Sequence, residues 1–280
     1  MSERIDVKKT YKLFINGAFP RSESGRTYEI KDAKGLFIAN PCMASRKDLR
    51  DAVVAARSAQ PGWSMSTAYN KGQILYRLAE MLEGRRTQFV DEILAITGVS
   101  KVKADKEVTD SVDRLVWYAG WSDKLSSLSG SLNPVAGPYY NFTVPESMGV
   151  IAAIAPEVPS LLGLIDAIAP IIVGGNTVVI LASTQAPLSA MSFAEVIATS
   201  DVPAGVINIL TGKKDEIAPW MASHMDIDGF DISGVGAQSQ GALRIAGAEN
   251  LKRIFTFTSA DPGRILAFLE NKTVWHPIGL

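Results

Sequence analysis

Few side chains in this sequence have the type and spacing that catalysis needs. The only thiol is Cys42, which follows Asn40-Pro41 and is interpreted as an ordinary structural residue. The two histidines, His224 and His276, have no cysteine nearby and are too few for a usual zinc site. No catalytic triad is evident among these residues, so we expect neither a metal centre nor nucleophilic catalysis.

Two groups of residues could nevertheless contact a ligand. Glu157 follows an apolar run, residues 150–155, and ligands of open α/β sheets bind at the carboxyl ends of strands. Asp166 and Lys213-Lys214 could belong to the same site. Further on, residues 233–236 read Ser-Gly-Val-Gly, a turn that could hold a phosphate at a helix N-terminus. A plain strand-to-helix turn explains this glycine run at least as well.

The segment 149–187 must position these groups. Its apolar run 150–155 predicts a buried strand, and residues 160–172 have apolar side chains at helical spacing. A Gly-Gly-Asn turn then leads into residues 177–181, which are rich in β-branched side chains and predict a second strand. This is a βαβ unit, so the two strands should be parallel neighbours. The alternation continues to residue 250 and predicts an α/β fold with a doubly wound, Rossmann-like parallel sheet.

Helices are expected before this unit and a strand directly before it. The first helix is capped by Ser45, with Asp48 in its first turn, and we expect it to end at Pro61-Gly62-Trp63. In the fourth helix Leu115 and Val116 should face inward. The predicted elements of this part are helices over 71–83, 87–97 and 103–125, a connector over 128–140 and a strand over 139–145.

The net charge, the composition and the cysteine count argue against several classes of partner and location. The 280 residues carry a formal net charge of −1, which gives no reason to expect nucleic acid or an anionic membrane as a partner. Hydrophobic content of 47% and charged content of 20% are typical of a soluble protein with a sizeable core. A single cysteine permits no internal disulfide, and the N-terminus has no apolar signal region. We therefore expect a cytoplasmic protein.

Several phrases resemble the aldehyde dehydrogenase superfamily, and the resemblance covers almost the whole chain. They include Phe-Ile-Asn-Gly at 14–17, GVIAAIAP at 149–156, IAPIIVGGNTVVI at 168–180 and QAPLSA at 185–190. The resemblance implies a cofactor-binding domain of the Rossmann type and a small β arm. In the family this arm receives the C-terminal strand and contacts a neighbouring subunit.

The functional residues that the resemblance implies are largely replaced here. The family's oxyanion-binding Asn corresponds to Val158 and its general-base Glu to Phe257. The Lys and Glu that hold the adenosine ribose correspond to Leu181 and Thr184. A Ser of the pyrophosphate turn corresponds to Val235. The degenerate cofactor site that remains would consist of Ser183, Ser233, Gly234 and Gly236.

The last residues resemble the family's C-terminal strand. The sequence LENKTVW at 269–275 follows soon after 261–263, so the family's catalytic domain with its nucleophilic Cys is expected to be absent. We expect residues 271–275 to pair with residues 140–144. The residues predicted to serve oligomerisation are Tyr140, Phe142, Val144, Lys272, Val274 and Trp275.

The predicted organisation has four parts. Residues 1–127 form the N-terminal arm and helices, 128–148 the β oligomerisation arm, 149–263 the Rossmann-like core, and 264–280 the oligomerisation tail. One hypothesis is an inactive subunit, a pseudoenzyme, that joins a full-length aldehyde dehydrogenase paralogue and forms a homodimer without it. The other is an NAD(P)-binding oxidoreductase-like module or small enzyme with an unrecognised site. The first predicts no cofactor and the second a vestigial NAD site.

Overall fold

The computed structural model describes residues 9–279. The N-terminal segment that was expected to contain no signal region lies largely outside these residues. Its helices are α1 (Arg46–Ser64), α2 (Ala68–Glu83), α3 (Arg86–Thr97), α4 (Lys101–Ala119), α5 (Leu125–Ser129), α6 (Ser160–Val173), α7 (Leu188–Ala198), α8 (Lys214–Ser223), α9 (Ala237–Ala248) and α10 (Gly263–Leu266). Its strands are β1 (Ile30–Lys31), β2 (Phe37–Ala39), β3 (Ser131–Asn133), β4 (Tyr139–Ser147), β5 (Val150–Ile154), β6 (Thr177–Leu181), β7 (Ile207–Leu210), β8 (Gly229–Asp231), β9 (Arg253–Phe255) and β10 (Leu269–Pro277). Within the described range, no helix is both long enough and apolar enough to cross a membrane.

A five-stranded parallel sheet forms the centre of the molecule, with the strand order β7-β6-β5-β8-β9. Strands β5 and β6 pair from Val150 opposite Thr177 to Ile154 opposite Leu181, as the βαβ unit predicted. Every residue of both strands is buried. Continuous apolar runs of this kind are typical of parallel strands that are covered on both faces. The predicted α/β fold with a doubly wound sheet is confirmed.

Alternate residues of β5 face two different helix layers. Ile151 and Ala153 pack in one cluster with α6, α7 and the N-terminal helices α2 to α4. Val150, Ala152 and Ile154 pack in the other with α1, α8 and α9. The two-residue period of a strand explains this division. The N-terminal helices therefore share a core with the sheet, and the four-part organisation remains a prediction.

Helix α1 begins as predicted but ends later. Ser45 and Asp48 form a capping box at its start. Pro61, part of the predicted end Pro61-Gly62-Trp63, lies inside the helix, which continues to Ser64, one residue beyond that segment. The buried indole of Trp63 donates from Nε1 to the carbonyl of Ile172 at 2.9 Å. This contact holds the last turn of α1 against α6.

Helix α4 is shorter than predicted. It ends at Ala119 instead of residue 125, because Gly120 follows as its C-cap and a turn separates it from α5. Val116 was predicted to face inward, but 40% of it is exposed. The buried stripe instead contains Leu115 and Tyr118. The aliphatic run was therefore a poor guide to the inner face of this helix.

A separate three-stranded antiparallel sheet, here called the β arm, consists of β10, β4 and β3 in that order. Strands β10 and β4 pair over their whole length, from Leu269 opposite Ser147 to Pro277 opposite Tyr139. The predicted pairing of residues 271–275 with 140–144 is confirmed. Strand β3 was not predicted and lies in the segment interpreted as a connector. Leu269 is buried and anchors the β arm to the core of the molecule.

Candidate functional site

The carboxyl edge of the sheet carries a polar cluster centred on Glu157, which follows β5. One oxygen of its carboxylate, Oε2, accepts hydrogen bonds from Ser183 Oγ at 2.8 Å and from the backbone N–H of Gln185 at 3.0 Å. The other, Oε1, lies 2.7 Å from Lys214 Nζ. These partners follow β6 and β7, so three strand ends converge on one carboxylate. The sequence singled out Glu157 and Lys214 but did not predict that they pair.

Lys214 links this cluster to the next strand end. Its Nζ also donates to the carbonyl of Gly234 at 2.9 Å, beyond β8. Ser183, a predicted cofactor residue, is buried, and its Oγ accepts from the N–H of Ala186 at 2.9 Å. Ser183 and Gly234 are therefore brought into one cluster, as the predicted cofactor site requires. Their polar groups are engaged by Glu157 and Lys214.

Ser233, another predicted cofactor residue, faces a different neighbour. Its Oγ donates to Asp231 Oδ1 at 2.5 Å and accepts from the N–H of Phe257 at 2.8 Å. It thereby ties the end of β8 to the segment after β9. The Ser233 hydroxyl closes a turn, and its one proton is donated within the chain.

The two predicted cofactor glycines differ in their surroundings. A Cβ on Gly234 would lie 2.3 Å from the carbonyl oxygens of Ile154 and Ala155, so only glycine fits against the end of β5. Gly236 caps α9, and a Cβ there would meet nothing within 4 Å. Close packing therefore explains Gly234, whereas Gly236 is the glycine with free space around it.

At the two positions where the resemblance implies ribose contacts, the side chains have other partners. Leu181 is fully buried in β6 and packs with the α1, α8 and α9 layer. Thr184 Oγ1 donates to the carbonyl of Gly212 at 2.8 Å. Neither side chain presents a charged group to the crevice at the sheet edge.

A second polar cluster lines a cavity of about 400 Å³ at the same edge of the sheet. Arg264 Nη2 and Asp231 Oδ2 form a buried ion pair at 2.8 Å, and Arg114 pairs with Asp166. Burial raises the pKa of Asp166, and the positive charge of Arg114 opposes that effect. The Arg264 guanidinium lies 4.8 Å from the ring centroid of Phe257. Asp231 pairs with Arg264 but does not line the cavity, so the charged residues of the lining are Arg114, Arg264 and Asp166.

The positions where catalytic groups are expected lie beside this cavity. Val158, at the position where the resemblance implies an oxyanion donor, lines the cavity and is 63% exposed. Phe257, at the position where it implies a general base, packs against Phe255 and Phe268 with ring centroids 5.9 and 6.0 Å apart. A methyl-bearing side chain and a phenyl ring can neither donate nor accept a proton here.

The N-terminus of α6 also has an internal partner. The backbone N–H groups of Leu161 and Leu162 donate to Glu107 Oε1 at 2.8 and 3.4 Å. This carboxylate comes from α4 and takes the place that an anionic ligand could occupy at a helix N-terminus. Burial raises the pKa of Glu107, which the hydrogen bonds to the α6 amides oppose.

The remaining chemical candidates do not converge. Cys42 is buried near the N-terminal part, where its carbonyl accepts from Thr211 Oγ1 at 2.6 Å. His224 ends α8 and His276 lies in β10. Among residues 9–279 no group of three or more His, Cys, Asp or Glu side chains could hold a metal ion. The structural interpretation of Cys42 fits these contacts.

The β arm has two chemically different faces. The register places Phe142 opposite Val274 and Val144 opposite Lys272, so five of the six predicted oligomerisation residues share one face. Leu132 of β3, opposite Phe142, adds a further exposed apolar side chain to it. We call this surface the apolar arm face. Trp275 lies on the other face, where its ring packs edge-on against Tyr139 at 5.6 Å.

The polar side of the β arm is held by short side chains. Asn133 Nδ2 donates to Asn141 Oδ1 at 2.6 Å and to Thr143 Oγ1 at 2.8 Å. Thr143 also lies within hydrogen-bond distance of Thr273. These hydrogen bonds connect β3, β4 and β10 on the polar face of the β arm. The apolar arm face stays partly exposed. Tyr140, on that face, is 49% exposed.

The chain is similar to known proteins in both sequence and structure. The sequence matches the aldehyde dehydrogenase family over residues 19–259. It is 31% identical to an aldehyde dehydrogenase of Emericella nidulans, over 99% of this chain and 56% of that protein. It is 34% identical to retinal dehydrogenase 2 of Gallus gallus, over 89% of this chain and 48% of that protein. A solved aldehyde dehydrogenase from Bacillus cereus has a TM-score of 0.81 and 28% identity, over 88% of this chain and 50% of that one. The chain spans about half the length of the curated relatives it matches.

Proposed function

Because this chain belongs to the aldehyde dehydrogenase family, we propose that it is a catalytically inactive subunit that associates with a full-length active aldehyde dehydrogenase as a structural or regulatory partner. The observation that carries this proposal is the set of side chains at the carboxyl edge of the sheet. Val158 and Phe257 stand where the family has an oxyanion donor and a general base. Losing one oxyanion donor alone costs about 10²–10³ in rate.

The cofactor crevice supports the same proposal. Leu181 and Thr184 give the ribose no charged partner, and the predicted cofactor hydroxyls of Ser183 and Ser233 are used within the chain. At this edge Lys214 is already paired with Glu157, so its ammonium is engaged where the phosphates of a dinucleotide would need a positive charge. We therefore propose that the subunit works without a bound NAD.

The β arm is the proposed docking element. A three-stranded antiparallel sheet is small, and the apolar arm face leaves Tyr140 and Leu132 largely in water. Strand β10 also forms one edge of the β arm, with backbone groups free to pair with another strand. We propose that a full-length paralogue covers this surface, and that two copies of this chain associate when the paralogue is missing. The proposed setting is the cytoplasm.

One observation favours the alternative of an NAD(P)-binding oxidoreductase-like module or small enzyme with an unrecognised site. The cavity that Arg114, Asp166 and Arg264 line is of a size that admits a small ligand and lies at the sheet edge where such folds bind ligands. Stoichiometric NAD retained through purification would favour this alternative over the inactive subunit.

The decisive experiment reconstitutes the complex from defined components. The untagged chain would be purified from its source, any co-purifying aldehyde dehydrogenase identified by mass spectrometry, and the pair reassembled from separately purified proteins. Tyr140→Ser should weaken binding about tenfold or more, because buried aromatic anchors dominate interfaces. The matched control is Tyr69→Ser on α2, where the tyrosine is 73% exposed and does not belong to the strands of the β arm. Equal affinities of the two variants would contradict the docking proposal.

A deletion tests the same surface more severely. The cut should fall after Glu270, because Leu269 is buried in the core and Asn176 Nδ2 donates to the carbonyl of Phe268 at 2.9 Å. Removing residues 271–280 should abolish the complex and leave the circular dichroism of the α/β core unchanged. Retained affinity in a folded truncated chain would exclude β10 as the docking element.

Activity measurements test the loss of catalysis separately. The purified chain should form no NADH with aldehydes, because the described residues supply neither a general base at Phe257 nor an oxyanion donor at Val158. Aldehyde-dependent NADH formation that survives Cys42→Ala would refute this part of the proposal. The reconstituted paralogue serves as the positive control in the same assay.

A further inference from the structure

The donors around Glu157 are arranged as in an anion-binding site, with the Glu157 carboxylate in the position of the anion. A hydroxyl from Ser183, a backbone N–H from Gln185 and an ammonium from Lys214 all lie within 3.0 Å of one carboxylate. They come from the ends of different strands, so the fold of the sheet holds them in place. Donors of these three kinds bind carboxylate and phosphate oxygens in proteins generally.

Because the Lys214 ammonium is largely buried, it needs a negative charge beside it. The Lys214 side chain is only 14% exposed, and within residues 9–279 the acceptor it has besides Glu157 is the neutral carbonyl of Gly234. A partly buried ammonium without a counter-charge is costly, and Glu157 supplies that charge. Burial alone would raise the pKa of Glu157, but the hydrogen bonds from Lys214, Gln185 and Ser183 outweigh it and lower the pKa. The carboxylate is therefore charged at neutral pH.

We propose that Lys214, Ser183 and the Gln185 amide form an oxyanion-binding site that the chain fills with its own Glu157 carboxylate. A carboxylate or phosphate ligand enters this site only by displacing that side chain. The site lies in the crevice at the strand ends, where nucleotides bind to sheets of this type. Glu157 thus acts as a built-in competitor for anionic ligands, independently of any partner on the β arm.

Removing the competitor tests this proposal. Glu157→Ala should lose stability and recover it when acetate replaces the missing carboxylate. Thermal unfolding would be followed in sodium acetate, sodium phosphate and ADP, each compared with sodium chloride at the same ionic strength. The folded-to-unfolded ratio rises as 1 + [L]/Kd, so 100 mM acetate should raise it about tenfold for a Kd of about 10 mM. Acetate, phosphate and ADP together show whether carboxylate, free phosphate or a nucleotide is preferred.

Two controls make the result specific. The double variant Glu157→Ala with Lys214→Ala should not respond to the anions, because the ammonium is the charged part of the site. Glu146→Ala removes an exposed carboxylate that pairs with Lys272 at 3.0 Å, and it should respond no more than the unmodified chain. An absent response in Glu157→Ala, or an equal response in the double variant, would overturn the proposal.

A conservative variant covers the case in which Glu157→Ala does not fold. Glu157→Gln keeps an oxygen for Ser183 and the Gln185 N–H but removes the negative charge beside Lys214. Phosphate should then stabilise this variant more than it stabilises the unmodified chain. Identical phosphate dependence of the two proteins would again contradict the proposed site.

Discussion

At the scale of single residues, the buried ion pair of Asp231 and Arg264 joins two distant parts of the chain. Asp231 ends β8, and Arg264 lies in α10, beyond the last strand of the central sheet. Both side chains are almost entirely excluded from water. Two opposite charges in such a place depend on each other, because either one alone would be buried without compensation.

Arg264→Leu should therefore lower the free energy of unfolding by about 3–5 kcal/mol. Adding Asp231→Asn to that variant should restore part of the loss, because the buried carboxylate charge is removed while the amide oxygen still accepts from Ser233. Urea unfolding measures both. The control is Arg77→Leu, whose pair with Glu80 is exposed, so its loss should change the free energy of unfolding far less. Equal losses for the two arginines would show that burial does not govern the pair.

Lys252 gives the molecule a pH dependence on the alkaline side. Its Nζ donates to the backbone carbonyls of His224 and Ile227, and burial lowers its pKa to about 8. The folded state thus releases this proton at lower pH than the unfolded state, where the ordinary value is 10.5. Stability from this group rises with pH above about 8 and levels off above the unfolded pKa.

Lys252→Met should remove that rise. Relative to the variant, the unmodified chain should gain on the order of 2 kcal/mol between pH 8 and pH 10, since one pKa unit corresponds to about 1.4 kcal/mol. Urea unfolding at a series of pH values measures the difference. Parallel curves for the two proteins across this window would show that Lys252 does not titrate there.

Residue types indicated part of the candidate site from the sequence. Glu157 and Lys214 stood out because they are charged and flank predicted strand ends. Asp231 and Arg264 were missed because 33 residues separate them and only the fold brings them together. The available signal was a charged residue between two apolar ones at a strand end, Asp231 between Phe230 and Ile232, since such a charge needs a partner when it is buried.

At the scale of elements, the best predictions were those with strong local patterns. Strands β5 and β6 and helix α6 lie where β-branched runs, helical spacing and the Gly-Gly turn indicated. The end of α4 was wrong because a glycine cap outweighed a continuing apolar pattern. The three-residue strand β3 could not be predicted, because it exists only through its pairing with β4.

The turn after β8 offers a test of why its glycines are present. Gly234→Ala should destabilise the protein by more than about 2 kcal/mol, because the new Cβ would meet backbone oxygens that cannot move aside. Gly236→Ala, two residues along, has free space and should change stability by less than about 1 kcal/mol. Thermal unfolding of the pair measures this contrast. Similar melting temperatures would mean that the turn can shift to admit a side chain.

At the scale of the whole molecule, two ion pairs within the chain lie along the carboxyl edge of the sheet. One joins Glu157 and Lys214, and the other joins Asp231 and Arg264. Leu181 and Thr184, at the positions where the resemblance implies ribose contacts, also carry no charge. Hydrogen bonds to charged groups contribute about 1.5–3 kcal/mol each, and 1.4 kcal/mol corresponds to a factor of ten in affinity.

NAD should therefore bind to the unmodified chain about two to four decades more weakly than to a relative that keeps both contacts. Isothermal titration calorimetry with the purified chain checks this, with the full-length paralogue as reference. A low-micromolar dissociation constant would overturn the expectation. It would also favour the NAD(P)-binding module over the inactive subunit.

The pairing of β4 with β10 has a consequence for the order of events during synthesis. The two strands meet across more than one hundred intervening residues, as Glu146 and Lys272 illustrate. At about 5–20 residues per second, the ribosome needs roughly 6–25 s to make the intervening stretch. Until then β4 has only the three-residue strand β3 beside it. The complete β arm therefore forms only on chains whose five-stranded sheet has already left the ribosome.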